Sequence, residues 1–177
     1  MNCKEETRIK DSGERTEFTT GAVRDIQKGK GRCDLIPLDV VGEIYLHKTD
    51  KLGAPDVLIN IQIFKDTGNP DRLEQVLECF LLLDRPCGDA NWSTIFLEVS
   101  KHFEEGAEKY GENNWQKGIP VKCYINSAVR HYLKWLRGDK DEPHDRAFCW
   151  NIMCAIWTCK NKPELNDYGA ASATLEK

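Results

Sequence analysis

Acidic and histidine side chains recur at helical spacing in the segment from Phe96 to Trp115. Glu98, His102 and Glu105 follow steps of three and four residues beside an apolar stripe, and Glu108 lies one turn beyond Glu105. A row of this kind can give several oxygen ligands to one hard cation such as Mg²⁺. The same pattern is also typical of a solvated helix flank, so both interpretations are open for this segment.

A second polar set lies at the start of the segment HDRAFCWNIMCAIWTCK, which is apolar almost all round and is therefore predicted to be buried. Asp141 and Asp145 are four residues apart, while His144 and Asn151 follow another side of the predicted helix. A buried asparagine that lacks hydrogen-bond partners costs about 1–3 kcal/mol. Asn151 is therefore expected either to brace the fold or to contact a ligand. Asp145 could equally be a simple complement to the helix dipole.

Two basic features could bind phosphate. The glycine-rich segment from Phe18 to Pro37 carries Arg24, Lys30 and Arg32 but lacks a P-loop pattern. Glycines let backbone amides approach a ligand, and the cations neutralise phosphate oxygens. Further along, Arg130 and His131 place a fixed cation beside a titratable donor. An ordinary solvated loop and a packed histidine are the respective alternatives.

These residues need helices to position them, and apolar periodicity with capping signals predicts an all-α bundle of about five to six helices with a Gly/basic N-terminal loop segment. We expect a flexible N-terminus (1–17), a single domain (18–163) that includes a helical insertion (45–92), and a flexible tail (164–177). The predicted helices begin near Pro37, at Pro55, after Asn69-Pro70-Asp71, near Phe96, at Val121 and near Pro143.

Composition narrows the class of protein. The net charge of −4 argues against a broad basic surface for nucleic acid. No apolar run approaches the roughly 20 residues of a membrane span, and the charged start has no signal-peptide pattern. The eight cysteines lack zinc-like spacing. We therefore expect a cytoplasmic protein with reduced thiols and neither nucleic-acid nor membrane partners.

Several separate strings resemble phage and bacterial dATP/dGTP diphosphohydrolase-type proteins, which are related to the all-α (MazG-like) nucleoside triphosphate pyrophosphohydrolases. They are GAVRD, GKGR and DLIP between Gly21 and Pro37, EVSKHFEEGAEKYGENNW from Glu98, RH at Arg130, and GDKDEPHDRAFCWN from Gly138. This sequence departs from the pattern in that residues 45–92 lie between DLIP and the Glu98 helix.

The resemblance implies Mg²⁺- or Mn²⁺-dependent hydrolysis of a (deoxy)nucleoside triphosphate, of the dATP/dGTP purine type, to the monophosphate and pyrophosphate. Glu98 and Glu105 would be catalytic, with Glu105 orienting or deprotonating the water. The metal ligands would be Glu98, Glu105, Glu108, Asp141 and Asp145, with Glu142 as a further candidate.

The remaining implied residues would bind the nucleotide. The phosphate charge would be neutralised by Arg24, Lys30, Arg32, Lys109 and Arg130. Trp115 or Tyr110 would stack on the base, and Asn114 or Asn151 would form hydrogen bonds with its edge. His131 and His144 would also contact the substrate. The resemblance also implies sites shared between subunits, and hence a homo-oligomer, in the cytoplasm of a bacterial or phage-infected host cell. The alternatives are a protein that binds the nucleotide without cleaving it, and a helical interaction protein whose acidic groups are all surface groups.

Overall fold

A computed structural model describes residues 13–26, 54–84 and 92–169 of the chain. Within these residues the protein is mostly helical, which confirms the predicted all-α class. The helices here are α1 (Ala54–Thr67), α2 (Asp71–Asp84), α3 (Trp92–Tyr110), α4 (Val121–Arg137) and α5 (His144–Asn161). The helix predicted near Pro37, together with Lys30 and Arg32, lies outside the described residues.

A short connection joins α1 and α2 into a helical hairpin. Asn69 Oδ1 accepts a hydrogen bond from the backbone N–H of Asp71 at 3.0 Å, as its predicted capping role requires. The apolar faces of the two helices meet each other, and α2 also contacts α5. The fully buried residues of this hairpin are Val57, Leu58, Ile61, Phe64, Leu73, Val76 and Phe80.

Helix α5 is the central element, because it contacts α2, α3 and α4. Its sequence is apolar on nearly every side, so it is stable only where other helices cover it. Phe148, Ile152 and Ala155 are completely buried there. Four polar residues of α5 are therefore held between neighbouring helices, namely His144, Arg146, Asn151 and Thr158.

Gly138 ends α4 in the left-handed conformation, with φ of 87°. Its N–H donates to the carbonyl groups of Lys134 and Trp135 at 3.1 and 3.0 Å. This arrangement satisfies the last helical carbonyls and favours glycine, which has no Cβ to clash. The turn brings residues 139–143 back beside α4.

A two-stranded antiparallel hairpin joins the end of the predicted flexible N-terminus to the predicted loop segment. Strands β1 (Arg15–Glu17) and β2 (Val23–Asp25) pair with Thr16 opposite Arg24. Ala22 is completely buried and Phe18 packs against the core. Three-residue strands give too short an alternation to be recognised in the sequence.

The segment after α5 packs across the α1–α2 connection. Asn166 Nδ2 donates to the Gly68 carbonyl at 2.9 Å, and the Tyr168 ring meets Phe64 edge-on at 5.3 Å. A Cβ added at Gly68 would lie 2.6 Å from the Tyr168 carbonyl oxygen, so the two backbones touch. The described parts of the predicted flexible ends, 15–17 and 164–169, are thus paired or packed, whereas the domain boundaries stay predictions.

No helix in the described part of the chain has the length and apolar character to cross a membrane. The cysteines described there are free thiols: Cys79, Cys123, Cys149, Cys154 and Cys159. Burial raises the pKa of Cys159 to about 11 and that of Cys154 well above its ordinary value. These two thiols are therefore protonated at neutral pH and behave as core groups.

Candidate functional site

A cavity of about 300 Å³ lies between β2, the second half of α3, the loop after it and α5. Phe103, Trp115 and Trp150 supply aromatic walls, while Glu104 and Glu112 supply carboxylates. The volume and the mixture of aromatic walls with a few polar groups are typical of a small-molecule site. Of the predicted nucleotide-binding residues, Arg24, Tyr110, Asn114 and Trp115 line this cavity.

Asn114 fixes the position of β2 instead of offering a free amide. Its Oδ1 accepts from the Val23 N–H at 3.0 Å, and its Nδ2 donates to the Val23 carbonyl at 2.8 Å. The side chain thus pairs with the strand as a neighbouring strand would. Each end of the amide makes one hydrogen bond here and keeps a second acceptor or donor position, so Asn114 could contact a base edge while it holds Val23.

Arg24 projects from β2 toward α4 and α5. Its Nη2 donates to Asn151 Oδ1 at 2.7 Å, and Asn151 Nδ2 donates to the Ala147 carbonyl at 2.7 Å. The guanidinium lies 5.1 Å from the centre of the Tyr124 ring, within cation–π range. Asn151 is thus both a brace and the anchor of a cation at the cavity wall.

Asp25 gathers three side chains beside the cavity. Tyr110 donates its hydroxyl to Oδ1 at 2.6 Å, Lys109 lies 3.0 Å from Oδ2, and Arg15 lies 3.2 Å from Oδ1. Burial, followed by the hydrogen bond to Asp25, raises the pKa of Tyr110 above its ordinary value. Lys109 and Tyr110, both predicted to bind substrate, thus connect α3 to the hairpin.

His102 is buried at the α3–α5 interface. Burial, then the positive charges of Arg146 and Arg24, lower its pKa to about 3. It is therefore neutral at physiological pH, and its ring lies 5.1 Å from that of Trp150. His102 Nδ1, Trp150 Nε1 and Arg24 Nη1 are buried nitrogens that make no hydrogen bond within the described residues. Unpaired buried polar atoms concentrated beside a cavity are a feature of functional sites.

Glu105 pairs with a buried arginine that the sequence interpretation did not assign to the site. Arg146 Nη2 lies 2.6 Å from Glu105 Oε1, and the Arg146 side chain is 5% exposed. A buried ion pair is broken only at a cost of about 3–5 kcal/mol when one partner is removed. The ion pair engages Oε1, and Glu105 could act on a water molecule through that oxygen only if the pair opened.

A histidine–carboxylate cluster, His131, Glu142 and His144, lies between α4 and the start of α5. The two Nδ1 atoms are 3.1 Å apart, and Glu142 Oε1 lies 3.7 Å from that of His131 and 3.6 Å from that of His144. Burial, followed by the charge of Arg130, lowers the pKa of His131 well below its ordinary value. These three residues, and the set Asp139, Asp141 and His144, are the groups in the described residues whose donors could share a metal ion.

The carboxylates predicted to bind metal do not all meet within the described chain. Asp141 belongs to one of the two groups, through its contact of 2.8 Å with His144 Nε2, and Glu142, the further candidate, belongs to the other. Glu98 is 3.1 Å from Lys101 on its own helix, and Glu108 is exposed. Asp145 is half-buried in the first turn of α5. The predicted ligand set stays a prediction.

The sequence interpretation left His102 and Arg146 out of the proposed site and ranked Glu142 behind other acids. The sequence did contain a signal for Arg146: it is a charged residue inside a nearly all-apolar helix. Such a residue must be paired with an opposite charge when it is buried. Glu142 gave a weaker signal, since only the turn at Gly138 brings its loop back beside His131.

The cavity and the cluster share one helical scaffold, and residues 88–168, which carry most of both, match the family model described as dATP/dGTP diphosphohydrolase, N-terminal. The matched family is one of hydrolases, and the match confirms the resemblance to dATP/dGTP diphosphohydrolase-type proteins for residues 88–168. Neither a curated protein nor a solved structure matches the chain.

Proposed function

We propose that the protein hydrolyses a purine deoxynucleoside triphosphate, dATP or dGTP, to the monophosphate and pyrophosphate with the help of a divalent metal ion. The observation that carries this proposal is the family match, because residues 88–168 contain α3, its following loop, α4 and α5. A dATP/dGTP diphosphohydrolase needs a base pocket, cations for the triphosphate and metal-binding groups. The described residues supply a candidate for each.

The cavity is the proposed place for the base. Trp115 contacts Phe103 at 5.4 Å and Trp157 at 5.0 Å between ring centres, so it is a rigid wall on which a base can stack. The carboxylates of Glu104 and Glu112 can accept hydrogen bonds from the amino group of adenine or guanine.

The cations toward α4 are the proposed place for the phosphates. Arg24 and Arg146 both lower the pKa of His102, and Arg130 and Lys134 lower that of His131, so positive charges lie near both the cavity and the histidine cluster. Phosphoryl chemistry depends mainly on positioning and charge neutralisation. A divalent ion would supply further charge neutralisation and activate the attacking water.

A protein that holds the nucleotide without cleaving it is the second candidate. The ion pair between Glu105 and Arg146 favours it, because one oxygen of the carboxylate predicted to activate water is held by a guanidinium. The two functions differ in their products, since a binding protein returns the nucleotide intact. The predicted homo-oligomer belongs with the first candidate and is tested by the mass of the protein in solution.

The test is a screen of the full chain against the eight common NTPs and dNTPs with Mg²⁺ or Mn²⁺, with products separated by chromatography. We expect monophosphate and pyrophosphate from dATP or dGTP. Arg24→Gln should raise KM at least about tenfold, because a charge-assisted contact to phosphate contributes roughly 1.5–3 kcal/mol. Lys122→Gln is the charge-matched control, since Lys122 pairs with Asp167 at 3.2 Å and does not line the cavity. A nucleotide recovered intact from a tight complex would favour the binding protein, and no binding would contradict both.

A further inference from the structure

Three donors of two chemical kinds converge between α4 and the start of α5. They are His131 Nδ1, His144 Nδ1 and Glu142 Oε1, separated by 3.1, 3.6 and 3.7 Å. We propose that His131, Glu142 and His144 bind one transition-metal ion of the Mn²⁺, Co²⁺ or Zn²⁺ class in preference to Mg²⁺. Its use in hydrolysis rests on the proposed function, whereas the binding itself does not.

The separations suit a single ion. Nitrogen and oxygen ligands bind such ions at about 2.0–2.2 Å, so two donors on one tetrahedral ion lie about 3.4 Å apart. The three donor–donor distances bracket this value. Without an ion, the two Nδ1 atoms must share one proton in a single hydrogen bond.

The donor types decide the class of ion. Two imidazole nitrogens and one carboxylate oxygen match the preferences of first-row transition metals, whereas Mg²⁺ favours an all-oxygen shell that keeps several waters. This differs from the all-carboxylate set that the sequence predicted. Mg²⁺ would then enter with the phosphates of the nucleotide, at oxygen ligands.

Asp141 fixes the orientation of His144. Its Oδ1 lies 2.8 Å from His144 Nε2, which donates the proton and leaves Nδ1 as the acceptor facing His131 and Glu142. A carboxylate behind a metal-binding imidazole holds both the ring and its tautomer. Asp141 is therefore a positioning residue for this site.

The three ligand side chains are largely buried, and Lys134, the neighbouring cation, can move away from Glu142 when the metal ion binds. The side chains of His131, Glu142 and His144 are 13%, 14% and 1% exposed. Lys134 Nζ lies 3.6 Å from Glu142 Oε1 and 3.2 Å from Asp141 Oδ2, so it can leave the first carboxylate and keep the second. The group containing Asp139 is less suited, because Arg137 holds the Asp139 carboxylate at 2.7 Å.

The test is a titration of chelator-treated full-length protein with Co²⁺ in the absence of nucleotide, followed by the visible absorption of the bound ion. We expect one Co²⁺ per chain, retained in an excess of Mg²⁺ and displaced by Zn²⁺. His131→Ala and His144→Ala should each weaken binding at least about 100-fold, and Asp141→Asn about 10–100-fold. Asp139→Asn is the control and should bind as the original protein does.

Binding that survives His131→Ala and His144→Ala, or that Asp139→Asn abolishes, would overturn the assignment, as would displacement of Co²⁺ by Mg²⁺. Circular dichroism checks that each variant folds, and Glu142→Gln replaces any histidine variant that does not. A protein that binds Co²⁺ and hydrolyses no nucleotide would keep this site and remove the proposed function. Hydrolysis with Mg²⁺ by a protein that binds no Co²⁺ would keep the proposed function and remove this site.

Discussion

At the scale of single residues, the site consists of polar side chains held by other protein groups. Arg24 is anchored by Asn151, Asn114 by Val23, and Glu105 by Arg146. Anchoring of this kind reduces the freedom that a side chain loses when a ligand binds, and so it preorganises the site. It also means that substitutions here act on stability as well as on binding.

His102 makes the stability of the protein depend on pH. Its folded-state pKa of about 3 lies below the ordinary 6.5. Between these two pH values the histidine is therefore protonated in the unfolded chain and neutral in the folded chain. The stability it provides is fully present above pH 6.5 and is lost as the pH falls toward 3. Well inside this window the loss is roughly 1.4 kcal/mol per pH unit.

We therefore expect His102→Gln to flatten the decline in the free energy of unfolding between pH 5.5 and 4.5 by about 1 kcal/mol. Urea unfolding at both pH values measures it, with Lys122→Gln as a surface control. Equal declines in the original protein and in His102→Gln would show that the histidine is not held neutral.

At the scale of elements, the turn at Gly138 connects the fold to the histidine cluster. It ends α4 seven residues after His131 and leads directly into Asp139, Asp141 and Glu142. The residue has a φ of 87°, and a Cβ added there would meet nothing within 4 Å. A substitution therefore changes backbone strain without introducing a clash.

Gly138→Ala should destabilise the protein by about 1–2 kcal/mol, because an L-residue is strained in the left-handed region. Gly138→Asn is the matched control and should lose less, since asparagine tolerates this conformation. Chemical unfolding of the original protein, Gly138→Ala and Gly138→Asn measures their free energies of unfolding and so gives the order of stability. If alanine and asparagine were equally destabilising, strain in the turn would not be the cause.

The sequence predicted the helices well and the site only in part. Asn69-Pro70-Asp71 and Pro143 mark helix starts through local chemistry, and α1, α2, α4 and α5 begin within a residue or two of their predicted starts. The pairing of Glu105 with Arg146, 41 residues apart, depends on how α3 packs on α5. Helical periodicity shows which side of a helix is buried and gives no information on which helix covers it.

At the scale of the whole molecule, the described chain encloses the α5 helix with α2, α3 and α4, and the hairpin adds Arg24 and Val23 to one end of the cavity. The cavity and the histidine cluster share α5, which carries Trp150 at one and His144 at the other. In the proposed function, the cavity would hold the base, and Arg24, Arg146 and Arg130 would attract the phosphates.

In the proposed reaction, water attacks the α-phosphorus of dATP or dGTP, and the bond from that phosphorus to the oxygen bridging to the β-phosphate breaks. The most direct measurement is hydrolysis in ¹⁸O-labelled water with mass spectrometry of both products. Attack at the α-phosphorus predicts ¹⁸O in the deoxynucleoside monophosphate and unlabelled pyrophosphate. Release of a diphosphate with inorganic phosphate, or recovery of the unchanged triphosphate, would contradict the account.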